Sequence, residues 1–147
     1  MPERVDDELV AWLGATRLAP VVVVHANHPA EIDESCGAAL ARLVRAGVPT
    51  LNQSVLLRGV NDDAEVLAEL SRRLLDRGVL PYYLHQLDPV AGAAHFRVEE
   101  ERGGEIVAEL RRRLPGYAVP RYVKEIPGAA HKVELVEGFA EKAPPLS

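Results

Sequence analysis

A regular alternation of short β-branched runs with longer helix-period stretches constrains the fold of this chain more than any other feature. The candidate strands begin near residues 21, 50 and 82, so the repeat is roughly 30 residues long, which is the size of one βα unit. The stretches between them carry apolar residues at helical spacing, as at Ile32, Leu40 and Leu43. Units of this kind in series predict a parallel sheet with helices on one side.

The length of the chain limits how much of such an architecture it can hold. The chain has 147 residues, whereas a complete eightfold barrel needs about 250. We therefore predict an α/β fold that is a partial (β/α) barrel, with about three βα units, parallel strands and a trailing extended segment over residues 117–126. A small doubly wound sheet is the alternative, although no G-x-G-x-x-G fingerprint of a dinucleotide site follows a candidate strand.

The predicted sheet assigns particular residues to the core. The continuous apolar run Val21–Val24 is typical of a strand covered on both faces, and Val55 and Leu84 should also be buried. Residues 1–138 should form one structural unit, followed by a loose Pro- and Ala-rich tail over 139–147. A partial barrel leaves sheet edges uncovered, so we expect the chain to form homo-oligomers or to be only marginally stable.

The composition excludes several classes of function. The net charge is −5, and an acidic balance of this kind argues against a nucleic-acid partner. No apolar run is long enough to span a bilayer and no secretory signal follows Met1, so we expect a cytoplasmic protein without a membrane partner. Cys36 is the single cysteine, and one cysteine cannot form an internal disulfide or a four-cysteine metal site.

Polar residues gather where the predicted strands end. The candidates that share this position are His25, Gln53, His85, Asp88, Glu125 and Lys132. In parallel α/β folds the carboxyl ends of the strands carry the chemistry. We therefore expect these side chains to lie together on one face.

Some of these residues have a structural interpretation as well as a functional one. Asn52 and Gln53 interrupt an apolar strand, and each is either a core amide bonded to the backbone or a side chain that holds a ligand. Asp88 either caps a turn or binds a ligand. Lys132 is one of only three lysines in the chain. It is either a solvated surface charge or the attachment point of a carbonyl cofactor.

A histidine-containing segment at the end of the first strand has the spacing of a metal motif. His25, His28 and Glu31 form an H-x-x-H-x-x-E pattern. Only a helix would bring these three side chains together, and Pro29 disfavours helical geometry at His28. We therefore predict no metal ligands in this segment.

Taken in order along the chain, five segments resemble the lysine 2,3-aminomutase family, whose members are radical S-adenosylmethionine (SAM) enzymes that also use pyridoxal phosphate. The segments are His25–Asp33, Leu51–Asp62, Pro81–Asp88, Gly92–Phe96 and Val119–Gly128 running into Lys132. The second and fourth look closest to the branch that makes (R)-β-lysine for attachment to elongation factor P. The resemblance implies the C-terminal half of a partial barrel of the radical SAM type, with L-lysine as substrate.

The resemblance also implies roles for three of the charged candidates. Lys132 matches the family lysine that attaches pyridoxal phosphate. Asp88 and Glu125 match two carboxylates that bind the side-chain ammonium of substrate lysine. Glu125 stands where the family often has an aspartate, which keeps the negative charge and lengthens the reach by one methylene.

The uncharged candidates take cofactor-contacting roles by the same resemblance. His25 and Gln53 match positions that contact S-adenosylmethionine, and His85 falls near the pyridoxal ring. The family also holds a 4Fe-4S cluster with a C-x3-C-x2-C motif, which this chain lacks.

Two hypotheses follow from the absence of the cluster motif. The chain is either the substrate- and cofactor-binding half of the enzyme, inactive in isolation, or a non-catalytic half-barrel that serves as an interaction module.

Overall fold

A computed structural model describes residues 2–87, 94–126 and 128–135 of the chain. The helices are α1 (Asp7–Ala15), α2 (Glu34–Arg45), α3 (Ala64–Asp76) and α4 (Glu100–Arg113). The strands are β1 (Val22–His25), β2 (Thr50–Leu56), β3 (Leu80–Gln86), β4 (Arg121–Lys124) and β5 (Val133–Glu134). In the part of the chain that the structure describes, no helix is both long and apolar enough to cross a membrane.

The strands form one sheet in the order β1-β2-β3-β4-β5. The strands β1 to β4 are parallel neighbours, and β5 pairs with β4 in the antiparallel direction. Parallel strands that are adjacent in both sequence and space need crossover connections, and these connections are right-handed, which places their helices on one face. The predicted α/β architecture with a mostly parallel sheet is confirmed.

The region after α4 differs in detail from the prediction of a continuous extended segment. Gly116–Ala118 forms a 3-10 turn, and only Arg121–Lys124 pairs as a strand. The short strand β5 was not predicted, because two residues are too few to show a periodic pattern. It follows directly after Lys132 and therefore anchors that residue next to β4.

One hydrophobic core lies between the helices and one face of the sheet. Its side chains come from α2, α3 and α4 on one side and from β2, β3 and β4 on the other. Its buried members include Leu40, Leu56, Leu67, Leu70, Leu74, Leu84, Ile106, Val107, Leu110 and Tyr122. The predicted burial of Leu84 is thus confirmed. Each helix is held on the sheet by its apolar stripe, since burial stabilises by about 25 cal/mol per Å² of apolar surface.

The prediction that Val21–Val24 is covered on both faces is wrong. Val21 is 55% exposed and Val23 is 39% exposed, whereas Val24 packs against the core. The helices cover only one face of the sheet, so alternate residues of β1 point to the open side. Val55, also predicted to be buried, is only half-buried for the same reason.

The helix α4 approaches the sheet very closely at Gly103. A Cβ atom at this position would overlap the phenol of Tyr122, a β4 residue that is 1% exposed. The Tyr122 hydroxyl donates a hydrogen bond to the Gln86 side chain, whose amide in turn donates to the carbonyl of Val98 at 2.6 Å. Tyr122 is therefore held in place, and only a glycine fits above it.

Replacing Gly103 with alanine should destabilise the protein by about 1–3 kcal/mol, because overpacking a filled core has a cost of that size. Alanine at an open helical position stabilises by up to about 1 kcal/mol relative to glycine. Gly104 provides the matched control, since a Cβ there meets nothing within 4 Å. Urea unfolding should therefore show a loss for Gly103→Ala and a gain for Gly104→Ala. Equal effects of the two substitutions would contradict the close contact.

Candidate functional site

The face of the sheet opposite the helices carries polar side chains near the carboxyl ends of the strands. His25 on β1 is in register with Gln53 on β2, and Val55 on β2 is in register with His85 on β3. Paired residues point to the same side of a sheet, and successive residues point to opposite sides. Leu84, which precedes His85, is buried in the core. His25, Gln53 and His85 therefore share the open face.

Three of the side chains on this face are in contact with one another. His85 Nε2 lies 3.1 Å from Gln53 Oε1, within hydrogen-bonding distance. The Tyr83 ring meets the His85 ring edge-on, with the centroids 5.6 Å apart and an interplanar angle of 66°. Gln53, Tyr83 and His85 thus form a continuous polar and aromatic surface across β2 and β3.

Lys132 lies at the edge of this surface. Its ammonium is 5.7 Å from the centroid of the Tyr83 ring, within the range of a cation–π contact, and 3.4 Å from a carboxylate oxygen of Glu125. The Lys132 side chain is 33% exposed and that of Glu125 is 66% exposed. An ion pair with so exposed a carboxylate is weak, so a ligand on the open face can displace Glu125 from the Lys132 amine.

Lys124 has a different environment. Its ammonium lies 2.6 Å from a carboxylate oxygen of Glu100 on α4, which places it on the helix-covered side of β4. Both partners are less exposed than Glu125, at 30% for Lys124 and 39% for Glu100. Lys124 therefore joins α4 to the sheet and does not reach the open face.

The candidates derived from the sequence divide into two groups. Asp88 lies outside the described residues. The others lie on or beside the open face, and they are His25, Gln53, His85, Glu125 and Lys132. Sequence reasoning missed Tyr83, which could have been found from its position two residues before His85 on the same strand.

Asn52 and Gln53 are neighbours in sequence, but only Asn52 is a core amide. Asn52 is 2% exposed, and its side chain accepts from Ala26 N at 2.9 Å and donates to Ala26 O at 3.1 Å. The Ser54 hydroxyl donates to the same carbonyl at 3.0 Å. Asn52 is thus a core amide bonded to the backbone, as buried amides generally are, whereas Gln53 faces the open side.

A second buried asparagine joins the loops at the same end of the sheet. The fully buried Asn61 side chain donates to the carbonyls of Asn27 and Val55 and accepts from Leu57 N, each at 2.8 Å. The Asn27 side chain accepts from Val55 N, also at 2.8 Å. These bonds hold the loop after β1 against the end of β2, so they also set the spacing of the open-face residues on both strands.

His28 and Glu31 form a capping box around a short turn. His28 Nδ1 accepts from Ala30 N at 3.0 Å. Glu31 Oε2 accepts from Asn27 N at 2.6 Å and from His28 N at 2.9 Å. Among the residues that the structure describes, no three His, Cys, Asp or Glu side chains are grouped so as to hold a metal ion.

The surroundings of His85 favour its neutral form. Burial lowers the pKa of His85 below its ordinary value of 6.5, and the positive charge of Lys132 lowers this pKa further. Glu125 acts in the opposite direction, and His25 adds a smaller lowering. A neutral imidazole can donate a hydrogen bond at one nitrogen and accept one at the other.

Comparison with known proteins gives matches over most of the chain. The L-lysine 2,3-aminomutase of Escherichia coli (strain K12) is 47% identical over 135 residues, which are 92% of this chain and 40% of that protein. The protein of the same name from Haemophilus influenzae is 45% identical over 137 residues, which are 93% of this chain and 40% of that protein. This chain is a homologue of L-lysine 2,3-aminomutase.

The homology extends to more distant relatives but covers only part of each. The L-lysine 2,3-aminomutase of Clostridium subterminale is 42% identical over 140 residues, which are 95% of this chain and 33% of that protein. The chain thus spans 40% or less of the length of these curated aminomutases. No protein-family model matches the chain.

A solved structure shows the same fold. The crystal structure of a radical SAM methyltransferase from Sphaerobacter thermophilus matches with a TM-score of 0.57 at 24% sequence identity. The match covers 79% of this chain and 38% of that one. This aminomutase homologue therefore shares its α/β fold with part of that methyltransferase.

Replacing Asn52 with alanine should lower the free energy of unfolding by roughly 1–3 kcal/mol, because the buried Ala26 N–H then loses its acceptor. Gln53→Ala on the same strand is the matched control, and it should cost less than about 1 kcal/mol because that side chain satisfies no buried backbone group. Urea unfolding monitored by circular dichroism measures both effects. Similar losses for the two variants would contradict the opposite orientations of these side chains.

Lys132→Met should raise the pKa of His85 part of the way back to 6.5, because the lysine charge is the second cause of the lowering and burial is the first. An NMR titration of the imidazole protons measures this change, with Lys124→Met as the control that leaves it unaltered. An unchanged pKa in Lys132→Met would contradict the proximity of the two side chains.

The same shift predicts how stability depends on pH. The folded-state pKa of His85 lies below the unfolded value, so the unfolded chain binds this proton more readily. The contribution of His85 to stability is therefore complete above a pH of about 6.5 and is lost as the pH falls through the folded-state pKa. The loss should be smaller in Lys132→Met than in the unsubstituted protein.

Proposed function

We propose that this chain is the substrate- and cofactor-binding part of an L-lysine 2,3-aminomutase, an isomerase that moves the amino group of lysine from C2 to C3 and so forms β-lysine. The proposal depends mainly on one observation. The amine of Lys132 lies beside Glu125 and the Tyr83 ring, on the open face of the sheet. Support comes from the name shared by the homologues that are 45–47% identical.

Lys132 is the residue that we assign to pyridoxal phosphate. A lysine attaches a carbonyl cofactor only if its amine can be reached and can lose its proton. Lys132 meets the first condition better than Lys124, because its partner Glu125 is more exposed and lies at 3.4 Å, whereas Lys124 lies 2.6 Å from Glu100. Attachment of this cofactor therefore fits Lys132 better than Lys124. When bound, pyridoxal phosphate supplies a conjugated ring over which an unpaired electron can be delocalised.

Two carboxylates, Glu125 and Asp88, would select the substrate by its side-chain ammonium. Glu125 already lies 3.4 Å from one ammonium, that of Lys132, and its carboxylate can hold the ammonium of a bound lysine in the same way. Asp88 is the second carboxylate that we assign to this group. Two charge-assisted hydrogen bonds to one ammonium favour lysine over neutral amino acids of similar size.

His25 and Gln53 are the residues that we assign to S-adenosylmethionine, and His85 to the neighbourhood of the pyridoxal ring. Gln53 and His85 are in direct contact, so ligands bound at the two positions would lie side by side. Two reactants held next to each other on a rigid surface react faster, because the entropy of bringing them together is lost on binding.

The residues present do not fit the 4Fe-4S cluster of radical SAM enzymes. Such clusters are held by several cysteine thiolates, and the sequence contains only Cys36. This side chain packs against the core from α2, where burial raises the pKa of its thiol and Asp33 raises it further. No step of the reaction that needs the cluster is therefore derived from this chain.

The single cysteine also favours a second candidate function, a non-catalytic half-barrel or interaction module. Neither candidate predicts β-lysine formation by the isolated chain, even with cofactors, iron and reductant supplied. Turnover by the isolated chain would contradict both candidates. Cofactor attachment separates them, because a module without a site has no reason to bind pyridoxal phosphate at one particular lysine.

The proposal also covers the fate of the product, the location of the protein and its self-association. We assign the β-lysine to the modification of elongation factor P, on the resemblance of Leu51–Arg58 and Gly92–Phe96 to that branch of the family. A cytoplasmic location and self-association through the uncovered edge of β1 belong to the same proposal.

Incubation with pyridoxal phosphate followed by borohydride reduction should label Lys132, because reduction converts the bond between a lysine and the cofactor into a stable amine. Peptide mapping by mass spectrometry locates the label. Lys132→Arg keeps the positive charge but should remove the label. Lys124→Arg is the matched control and should retain the label on Lys132.

Free L-lysine should reduce this labelling more strongly than norleucine, which has the same carbon chain but lacks the side-chain ammonium. Label on Lys124 or Lys142 in place of Lys132 would contradict the assignment of the cofactor lysine. Equal labelling of all three lysines would favour the non-catalytic module.

A further inference from the structure

The contact between Gln53 and His85 joins two strands and leaves each side chain with one free end. Gln53 Oε1 lies 3.1 Å from His85 Nε2, so the amide NH₂ of Gln53 is not engaged by the ring. His85 Nδ1 lies on the far side of the imidazole from this contact. The pair therefore presents one donor group and one nitrogen to the open face, and the proton on the ring decides which orientation of the amide is stable.

The groups around His85 favour a ring that carries a single proton. Lys132 and His25 disfavour a second proton on the ring, Glu125 favours one, and burial outweighs each of them in favour of the neutral form. The Tyr83 ring packs edge-on against the imidazole. A neutral ring carries a single N–H, and only a hydrogen on Nε2 can be donated to the oxygen of Gln53.

We propose that His85 is a positioning residue that holds the Gln53 side chain in one orientation, with its oxygen bound to the ring and its NH₂ group directed to the open face. Gln53 then acts on a ligand only as a hydrogen-bond donor. The ligand atom next to it must be an acceptor, such as a carboxylate oxygen or an unprotonated ring nitrogen. The acceptor class of the ligand rests on the proposed function, because that function assigns a ligand to Gln53. The orientation of the Gln53 side chain does not depend on the proposed function.

Long-range ¹H–¹⁵N NMR spectra of the full chain labelled with ¹⁵N-histidine test this proposal directly. His28 supplies an internal reference, because its Nδ1 accepts from Ala30 N at 3.0 Å and its neutral ring must therefore carry the hydrogen on Nε2. At an alkaline pH, where imidazoles are neutral, His85 should give the same tautomer pattern as His28. A hydrogen on Nδ1 of His85 would overturn the proposal, because Gln53 would then have to donate to the ring.

Two variants separate a positioning contact from simple packing. Gln53→Glu keeps an acceptor beside the ring and adds a negative charge, so the pKa of His85 should rise while the Nε2–H tautomer is retained. Gln53→Met keeps the approximate size but removes the acceptor, so the tautomer signals should move toward the mixture of an exposed imidazole. A His85 spectrum unaffected by both variants would overturn the proposal, and circular dichroism confirms that each variant is folded.

The outcome is independent of the test of the proposed function. Labelling of Lys132 by pyridoxal phosphate reports on cofactor attachment and does not depend on the His85 tautomer. Loss of that labelling with the expected tautomer would count against the aminomutase assignment and leave the oriented pair standing. Labelling of Lys132 together with a hydrogen on Nδ1 of His85 would support the assignment of the cofactor lysine and contradict the donor role of Gln53.

Discussion

The helices of this protein cover one face of its sheet, and the distribution of its side chains depends on that constraint. Parallel strands joined by right-handed crossovers bring α2, α3 and α4 to the same side. Alternation along each strand then sends neighbours in opposite directions, so that Leu84 is buried in the core and His85 reaches the open face. The polar residues can thus lie near the core without entering it, where unpaired polar groups are costly.

Two buried asparagines, Asn52 on β2 and Asn61 in the loop after it, support this open face. Asn52 and Asn61 satisfy backbone groups that the sheet leaves unpaired where the strands end. Because their bonds run between the loop after β1 and the strand β2, they fix the distance between His25 and Gln53. A binding site needs such support from surrounding hydrogen bonds, since small displacements of its contact groups weaken binding and catalysis.

The two lysines around β4 show how the environment separates a structural charge from an accessible amine. Lys124 is bound to Glu100 on the covered side and joins α4 to the sheet. Lys132 lies beside the exposed carboxylate of Glu125 and the Tyr83 ring on the open side. The strand β5, which begins at the next residue, holds Lys132 there, so a weak ion pair is enough to keep its amine near the site.

The sequence by itself determined the order of the elements, the parallel sheet and the gathering of polar residues at strand ends, because these depend on local periodicity. It could not show that Val23 is exposed, since coverage of a strand depends on where the crossovers run. It could not separate Asn52 from Gln53 either, because neighbouring amides differ only in which side of the sheet they face. The contact of Gln53 with His85 joins separate strands, so only the register of the folded sheet decided it.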